Sequence, residues 1–184
     1  MEPEVTHDLL VEPPHPDPAS GDGPRPMTPA QRTAFQVLSA STAPVWLAMI
    51  VAPNSRVTER LVRLATPLYG ALGAAYVGLL ATAMATGDER VRFDDPESLR
   101  RGLGDPTAFL AGWTHYLVFD LFVGRHVWEQ ARARGRTDRL PLFLTWMAGP
   151  AGLTIHLARN VRDARRERRG AAGVPATDDR TMFE

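Results

Sequence analysis

Four stretches with almost no charge, each long enough to cross a lipid bilayer as a helix, constrain the fold of this chain more than any other feature. The third is uncharged from Thr107 to Gly124 except for His115 and Asp120. A helix of about 20 residues rises roughly 30 Å, which is the thickness of the hydrocarbon core. A soluble bundle would need polar outer faces, and these stretches have none. The sequence therefore predicts an all-α fold, an integral membrane four-helix bundle, with spans at about 34–52, 64–87, 107–128 and 140–158.

The two ends of the chain read as disordered tails. Residues 1–29 contain eight of the sixteen prolines, and such a segment cannot bury enough apolar surface to offset its ordering entropy. We expect a disordered tail over 1–33, a transmembrane domain over 34–162, and a basic and then disordered tail over 163–184. The polar connection after the second span is expected to form one or two amphipathic helical turns over Pro96–Gly104.

Local features within the spans predict kinks and close packing. Pro44 lies inside the first span and Gly149-Pro150 inside the fourth, and both should bend a helix. Small residues recur every four positions along the second span, which favours the close approach of another helix. These small residues are Gly70, Ala74, Gly78 and Thr82.

Composition limits partners and location. The net charge is zero, so no global field attracts nucleic acid. The chain has no cysteine, and we predict neither a metal site nor a cofactor. All 21 basic residues are arginine, which together with abundant Ala, Gly and Pro is typical of GC-rich bacterial genomes. The distribution of arginine between the connections favours a multi-pass protein of the cell membrane with both termini in the cytoplasm.

The third span carries the residues with the clearest chemical potential. A carboxylate near the middle of a span costs on the order of 3 kcal/mol, so Asp120 should face a partner, a cavity or a substrate. His115, Tyr116 and Arg125 lie on the same helix, and His156 comes from the fourth span. Structural alternatives exist for each: a hydrogen-bonded core histidine, an Asp120–Tyr116 contact, and an arginine that reaches the headgroups.

The core of this chain resembles a known family. The pattern W-x-H-x-x-x-x-D-L-F-x-x-R is formed by Trp113, His115, Asp120, Leu121, Phe122 and Arg125, and a Gly-Pro-x-Gly followed by His156 comes later. These residues are similar to the abscisic-acid-deficient-four-like membrane proteins. Those are plastid proteins implicated in forming neoxanthin from violaxanthin, with many bacterial relatives. The resemblance covers roughly residues 34–162, and His126 departs from the aromatic residue expected after the arginine.

The resemblance implies a protein that acts on or near an isoprenoid lipid, with membrane lipid and a second copy or a partner membrane enzyme as expected neighbours. One hypothesis is a cofactor-independent, acid–base isomerase or cyclase of the epoxide-opening type, working on a carotenoid-like substrate. Asp120 would be the acid and His115 the base, while Arg125, His156 and Tyr116 complete the site. The alternative is a non-catalytic membrane module that binds such a lipid or supports a partner enzyme. A proton-coupled carrier with Asp120 as relay is a third and weaker hypothesis.

Overall fold

The computed structural model describes residues 25–86, 91–92 and 94–172, and every regular element in this part of the chain is a helix. The predicted disorder of residues 1–24 and 173–184 lies outside the described residues. The helices are α1 (Pro29–Val51), α2 (Arg56–Leu64), α3 (Thr66–Thr86), α4 (Pro96–Leu103), α5 (Pro106–Ala133), α6 (Arg139–Ala148) and α7 (Pro150–Ala172). Helix α4 occupies the connection where amphipathic turns were expected.

Helix α1 begins five residues before the predicted start of the first span. Thr28 and Gln31 form a capping box, in which each side chain accepts a hydrogen bond from the backbone of the other. Pro29 follows the cap, where its missing N–H is not needed. Gln31 Nε2 also donates to Thr107 Oγ1 at 3.1 Å, which fixes the start of α1 beside the start of α5. Residues 29–33 are therefore helical and do not belong to a disordered tail.

Helix α5 lies at the centre of the structure and packs against α1 and α3. Trp113 Nε1 donates to Ser39 Oγ at 2.9 Å, and Trp128 Nε1 donates to the Pro53 carbonyl at 2.9 Å. Residue numbers rise together in these contacts, so α1 and α5 run parallel. Helix α3 runs antiparallel to α5, since Tyr69 bonds the Leu121 carbonyl at 3.5 Å while other contacts join earlier residues of α5 to later residues of α3.

The buried core lies where α1, α5 and α6 meet. Trp46, Met49, Leu121 and Leu142 are all essentially inaccessible. The Trp46 ring lies directly over Gly124, where a Cβ atom would collide with it. Because residue 124 is glycine, the Trp46 ring of α1 can pack directly against the backbone of α5.

The predicted fourth span is a helical hairpin. Helix α6 ends at Gly149, which has φ +44°, and α7 then folds back along α6. The contacts pair Gly152 with Thr145, and His156 with Asp138, so that one number rises as the other falls. The kink predicted at Gly149-Pro150 is thus present, but it reverses the chain. At 10 residues, α6 rises only about 15 Å, roughly half the hydrocarbon thickness.

This reversal changes the expected arrangement of the helices. The structure shows α1, α3 and α5 packed with the α6–α7 hairpin, and the predicted four-helix bundle is not confirmed. The end of α1, the end of α5 and the outer part of α7 lie together: Trp128 contacts the Pro53 carbonyl at 2.9 Å, and Asn160 contacts Gln130 at 3.0 Å. We call this the basic end. The start of α1 lies at the opposite end of the described helices. The placement of both termini in the cytoplasm stays a prediction.

Two helical stretches are long and apolar enough to cross a membrane by length and composition, Pro29–Val51 and Arg56–Thr86. Within the second, α3 buries Leu72 and leaves most other side chains partly or fully exposed. Its small-residue stripe faces outward: no atom of the described residues lies within 4 Å of a Cβ built at Gly70 or Gly78. The expected close helix contact along this stripe is therefore not made within the described chain.

Candidate functional site

Asp120 lies against the tip of the hairpin. Its Oδ1 is 2.9 Å from the position that a Cβ on Gly149 would occupy, so a glycine allows the carboxylate to approach the turn. Helix α7 begins at Pro150, next to this contact, and a helix N-terminus favours negative charge. Asp120 is partly buried, and within the described residues its carboxylate makes no hydrogen bond. A carboxyl group is thus held without a hydrogen-bonding partner in the middle of the central helix.

The open face of α5 beside Asp120 is aromatic. His115, Tyr116 and Phe119 are exposed there. The His115 ring stacks on Phe119, with centroids 4.5 Å apart, and lies 5.5 Å from the ring of Tyr76 on α3. His115 therefore forms the edge of this face nearest α3, while Asp120 forms the edge nearest the hairpin tip. We call the surface of His115, Tyr116, Phe119 and Asp120 the α5 face.

The α5 face separates a possible base from a possible acid. His115 and Asp120 are five residues apart, which on a helix is about 7.5 Å along the axis and about 140° around it. A flat apolar molecule lying on Tyr116 and Phe119 could contact both groups without requiring them to touch. The predicted direct contact between Tyr116 and Asp120 is not among the hydrogen bonds that the described residues make.

Arg125 lies away from the α5 face. Its Nε donates to Glu129 Oε1 at 2.8 Å, and its Nη1 donates to Thr66 Oγ1 at 3.3 Å. These contacts turn the guanidinium toward the basic end, where it lines a cavity of about 190 Å³ with residues of α2 and α5. The structure therefore does not bring Arg125 together with Asp120.

His156 also lies apart from the α5 face, in a buried polar network. The ring is completely buried, and its Nδ1 is 2.7 Å from Asp138 Oδ2. Its Nε2 is 3.0 Å from Asn160 Nδ2 and 3.1 Å from Gln130 Oε1. With the proton on Nδ1, Nε2 accepts from Asn160; with both nitrogens protonated, Nε2 donates to Gln130. Either way the ring nitrogens are occupied, so His156 ties the hairpin to α5.

Asp138 is the acidic member of this network. Arg159 Nη1 donates to its Oδ1 at 3.1 Å, and Arg136 Nη2 donates to its Oδ2 at 3.2 Å. Burial would raise the pKa of Asp138, but hydrogen bonding to His156 and Arg159 and the charge of Arg136 outweigh it, so the pKa lies below its usual range. The carboxylate is therefore charged at neutral pH and contributes to closing the hairpin.

The sequence alone does not single out Gln130, Asp138 or Asn160. Asp138 and Asn160 lie just outside the uncharged stretches, where polar residues look like ordinary loop or headgroup residues. They can be recognised only once the hairpin is known, because residues before Gly149 then meet residues after Pro150. Within the described ranges, no three His, Asp or Glu side chains gather as a metal ion would require.

The comparisons with known proteins match the part of the chain that contains this site. A family model described as ABA DEFICIENT 4-like matches residues 33–156, which run from α1 to the His156 network. Protein ABA DEFICIENT 4, chloroplastic, of Arabidopsis thaliana is 25% identical over 130 residues, which are 67% of this chain and 59% of that protein. The matched region thus spans less than two thirds of this relative's length. No solved structure matches the chain significantly.

Proposed function

The chain belongs to the ABA DEFICIENT 4-like family, and from that premise we propose that it is a multi-pass membrane protein acting on a lipophilic isoprenoid. The observation that carries the proposal is the carboxyl group of Asp120, which lies at the hairpin tip without a hydrogen-bonding partner in the described chain. It borders an exposed aromatic face that also contains His115. A titratable group kept in the middle of an apolar helix is expected to serve a substrate or a structural partner.

The proposed membrane arrangement has three crossings, α1, α3 and α5, and a hairpin of α6 and α7 that enters and leaves on the same side. The exposed surface of α3 supports it, because a core helix of a soluble protein would be mostly buried. A helical turn at membrane depth is tolerated where protein covers it, and Gly149 is buried. Arginines are concentrated at the basic end, which supports a cytoplasmic location for that end and an outside location for the start of α1.

The proposed substrate enters from the lipid. Phe119, Tyr116 and Phe122 expose their rings on α5, and Tyr76 adds a further ring from α3. An elongated polyene or terpenoid has the flat, apolar surface that such rings contact favourably. The neoxanthin-related role implied by the family resemblance points to a carotenoid-like molecule that carries oxygen.

The proposed chemistry is an acid–base isomerisation. The protonated carboxyl of Asp120 gives its proton to an epoxide oxygen as the C–O bond breaks. His115 Nδ1 or Nε2 takes a proton from a neighbouring carbon, and the electrons of that C–H bond form the new double bond. One proton enters and one leaves, so no oxidant or cofactor is consumed. Arg125 and His156 serve as positioning residues that hold α5 and the hairpin in place.

The test uses two conservative variants on the α5 face. Asp120→Asn keeps the shape but removes the transferable proton, and His115→Gln keeps polarity but removes the base. Product formation from candidate isoprenoids in membranes, at matched protein levels, should fall by about two to four orders of magnitude in each. The double variant should be scarcely worse than either single variant, because both groups serve one step. Glu97→Gln is the matched control, since it removes an exposed carboxylate on α4, outside the α5 face and outside the contacts of Arg125 and His156.

The second candidate function is a module that binds an isoprenoid without converting it. It is favoured by the openness of the α5 face, where His115, Tyr116 and Phe119 are exposed. In that case Asp120→Asn would keep near-normal function, while replacement of Phe119 by alanine would weaken binding of the isoprenoid. Near-normal turnover of Asp120→Asn would thus defeat the catalytic proposal and leave the binding one.

A further inference from the structure

A groove of about 490 Å³ lies at the basic end, between α7 and the connection from α5 to α6. Its charged lining consists of four arginines and two aspartates. These residues are Arg136, Arg159, Arg162, Arg166, Asp138 and Asp163. Neither the α5 face nor the proposed chemistry involves this groove.

The charges in the groove are not balanced. Asp138 is bonded to Arg136 and Arg159, and Asp163 is bonded to Arg136. Arg162 is left with Arg166, one turn further along α7; both are exposed and make no ion pair within the described chain. Two like charges at i and i+4 repel each other across one turn of a helix. An anion between them and Arg159 would relieve that repulsion.

We propose that this groove binds the phosphate group of an anionic membrane lipid. Guanidinium groups bind phosphate oxygens through paired, charge-assisted hydrogen bonds, and the groove has room for a phosphodiester. The surface beyond the groove favours a lipid over a soluble phosphate. Directly after Arg139, Leu140, Phe143 and Met147 share one exposed face of α6, on which an acyl chain could lie.

This proposal rests on the membrane location proposed above but not on any catalytic role. The proposal also fits the position of the groove. The arginine distribution supports a cytoplasmic location for the basic end, and the cytoplasmic leaflet has the more anionic lipids. The hairpin would then be held at its base by the lipid headgroup and by the His156 network together.

The experiment measures binding of dioctanoyl phosphatidylglycerol to the full chain in neutral detergent, from the rise in melting temperature followed by tryptophan fluorescence. The test variant is Arg162→Gln/Arg166→Gln. The matched control is Arg165→Gln/Arg168→Gln, which removes the same charge from the same helix outside the residues that line the groove. Each arginine near an anionic lipid contributes a factor of about five, so the test variant should bind roughly 30-fold more weakly.

The outcomes separate the possible ligands. Weakened binding in the test variant, with the control within about threefold of the original chain, supports the proposal. An equal loss in both variants would show a diffuse charge effect and overturn it. Inorganic phosphate is the second probe: if it reproduces the full stabilisation, the ligand is a soluble anion and the lipid proposal fails. Both variants should still require detergent for extraction, so failure here is distinguishable from failure of the membrane proposal.

Discussion

The hairpin predicts that replacing Gly152 by alanine destabilises the protein, whereas a straight fourth span predicts a small gain in stability. A Cβ at this position would collide with the Pro141 carbonyl oxygen and with the backbone nitrogen and hydroxyl of Thr145 on α6. Overpacking typically costs about 1–3 kcal/mol, and backbone atoms cannot rotate away as the end of a side chain can. Alanine gains at most about 1 kcal/mol in helix propensity. Gly152→Ala should therefore destabilise the protein by about 2 kcal/mol.

The assay is unfolding of the full chain from mixed micelles by increasing denaturing detergent, followed by helical circular dichroism. Gly78→Ala is the matched control, because it lies in α3 with no described atom within 4 Å of the added methyl group. It should stabilise the protein by up to about 1 kcal/mol. If Gly152→Ala is as stable as the original chain or more stable, while Gly78→Ala behaves as expected, then α7 does not fold back on α6.

Three further predictions test other parts of the structure. Asp138→Asn should lower the free energy of unfolding at pH 7. Because folding lowers the pKa of Asp138, the charged carboxylate stabilises the fold above the unfolded pKa of about 4, and this stabilisation is lost as the pH falls through the folded-state pKa. The difference in stability between the variant and the original chain should therefore shrink toward pH 3. Single cysteines at Pro26 and Gly170, in a chain with no native cysteine, should react with a membrane-impermeant thiol reagent from opposite sides of oriented vesicles; labelling from one side would contradict the three-crossing arrangement. Gly124→Ala should cost about 1–3 kcal/mol, measured by the same unfolding, because its methyl group meets the Trp46 ring; an unchanged midpoint would show that the ring can move.

The long helices could be predicted from the sequence because a hydropathy window records how far an apolar stretch extends. The windows at 34–52 and 64–87 correspond closely to α1 and α3, and the third lies within α5. The start of α1 was placed too late, since the proline content of the tail outweighed the local capping signal of Thr28 and Gln31. Such signals fix helix ends more finely than hydropathy does.

The direction of the chain within the fourth window could not be read in the same way. An uncharged stretch over 140–158 fits one crossing of a bilayer or two half-crossings equally well. The decision depends on Gly149, whose positive φ lets the chain reverse, and on the pairing of Asp138 with His156 across the hairpin. On a continuous helix, residues 18 positions apart would share one face but lie about 27 Å apart, so helical periodicity does not predict their contact.

The structure places the predicted site residues in different parts of the fold, because contacts across the hairpin could not be predicted. Asp120 was singled out because a carboxylate in an apolar helix is unusual, and the structure places it at the hairpin tip. His115 lies on the open face and not in a closed interior, while Arg125 and His156 belong to contacts nearer the basic end. Positions on one helix could be related from its period, but the neighbours contributed by α6 and α7 could not.

In the proposed membrane arrangement, the hairpin gives Asp120 a structural role that can be tested separately from any chemistry. The fifteenth residue of α5 is Asp120, close to its middle, and α6 is long enough to reach about the same depth. The N-terminus of α7 therefore starts near the middle of the proposed membrane, where its first N–H groups have no water. The oxygens of a nearby carboxyl group face these N–H groups, and a side-chain oxygen at a helix start typically stabilises it by about 0.5–2 kcal/mol.

Comparing two substitutions at this position isolates that role. Asp120→Asn retains an oxygen that faces the end of α7, whereas Asp120→Ala removes both carboxyl oxygens. Unfolding in mixed micelles should rank the original chain and Asp120→Asn close together, with Asp120→Ala less stable by about 1 kcal/mol or more. If Asp120 served a substrate alone, removing a carboxyl group that lacks a hydrogen-bonding partner from an apolar region would stabilise the fold, because its desolvation would no longer oppose folding. A more stable Asp120→Ala protein would therefore refute the helix-end role and leave Asp120 as a purely functional residue.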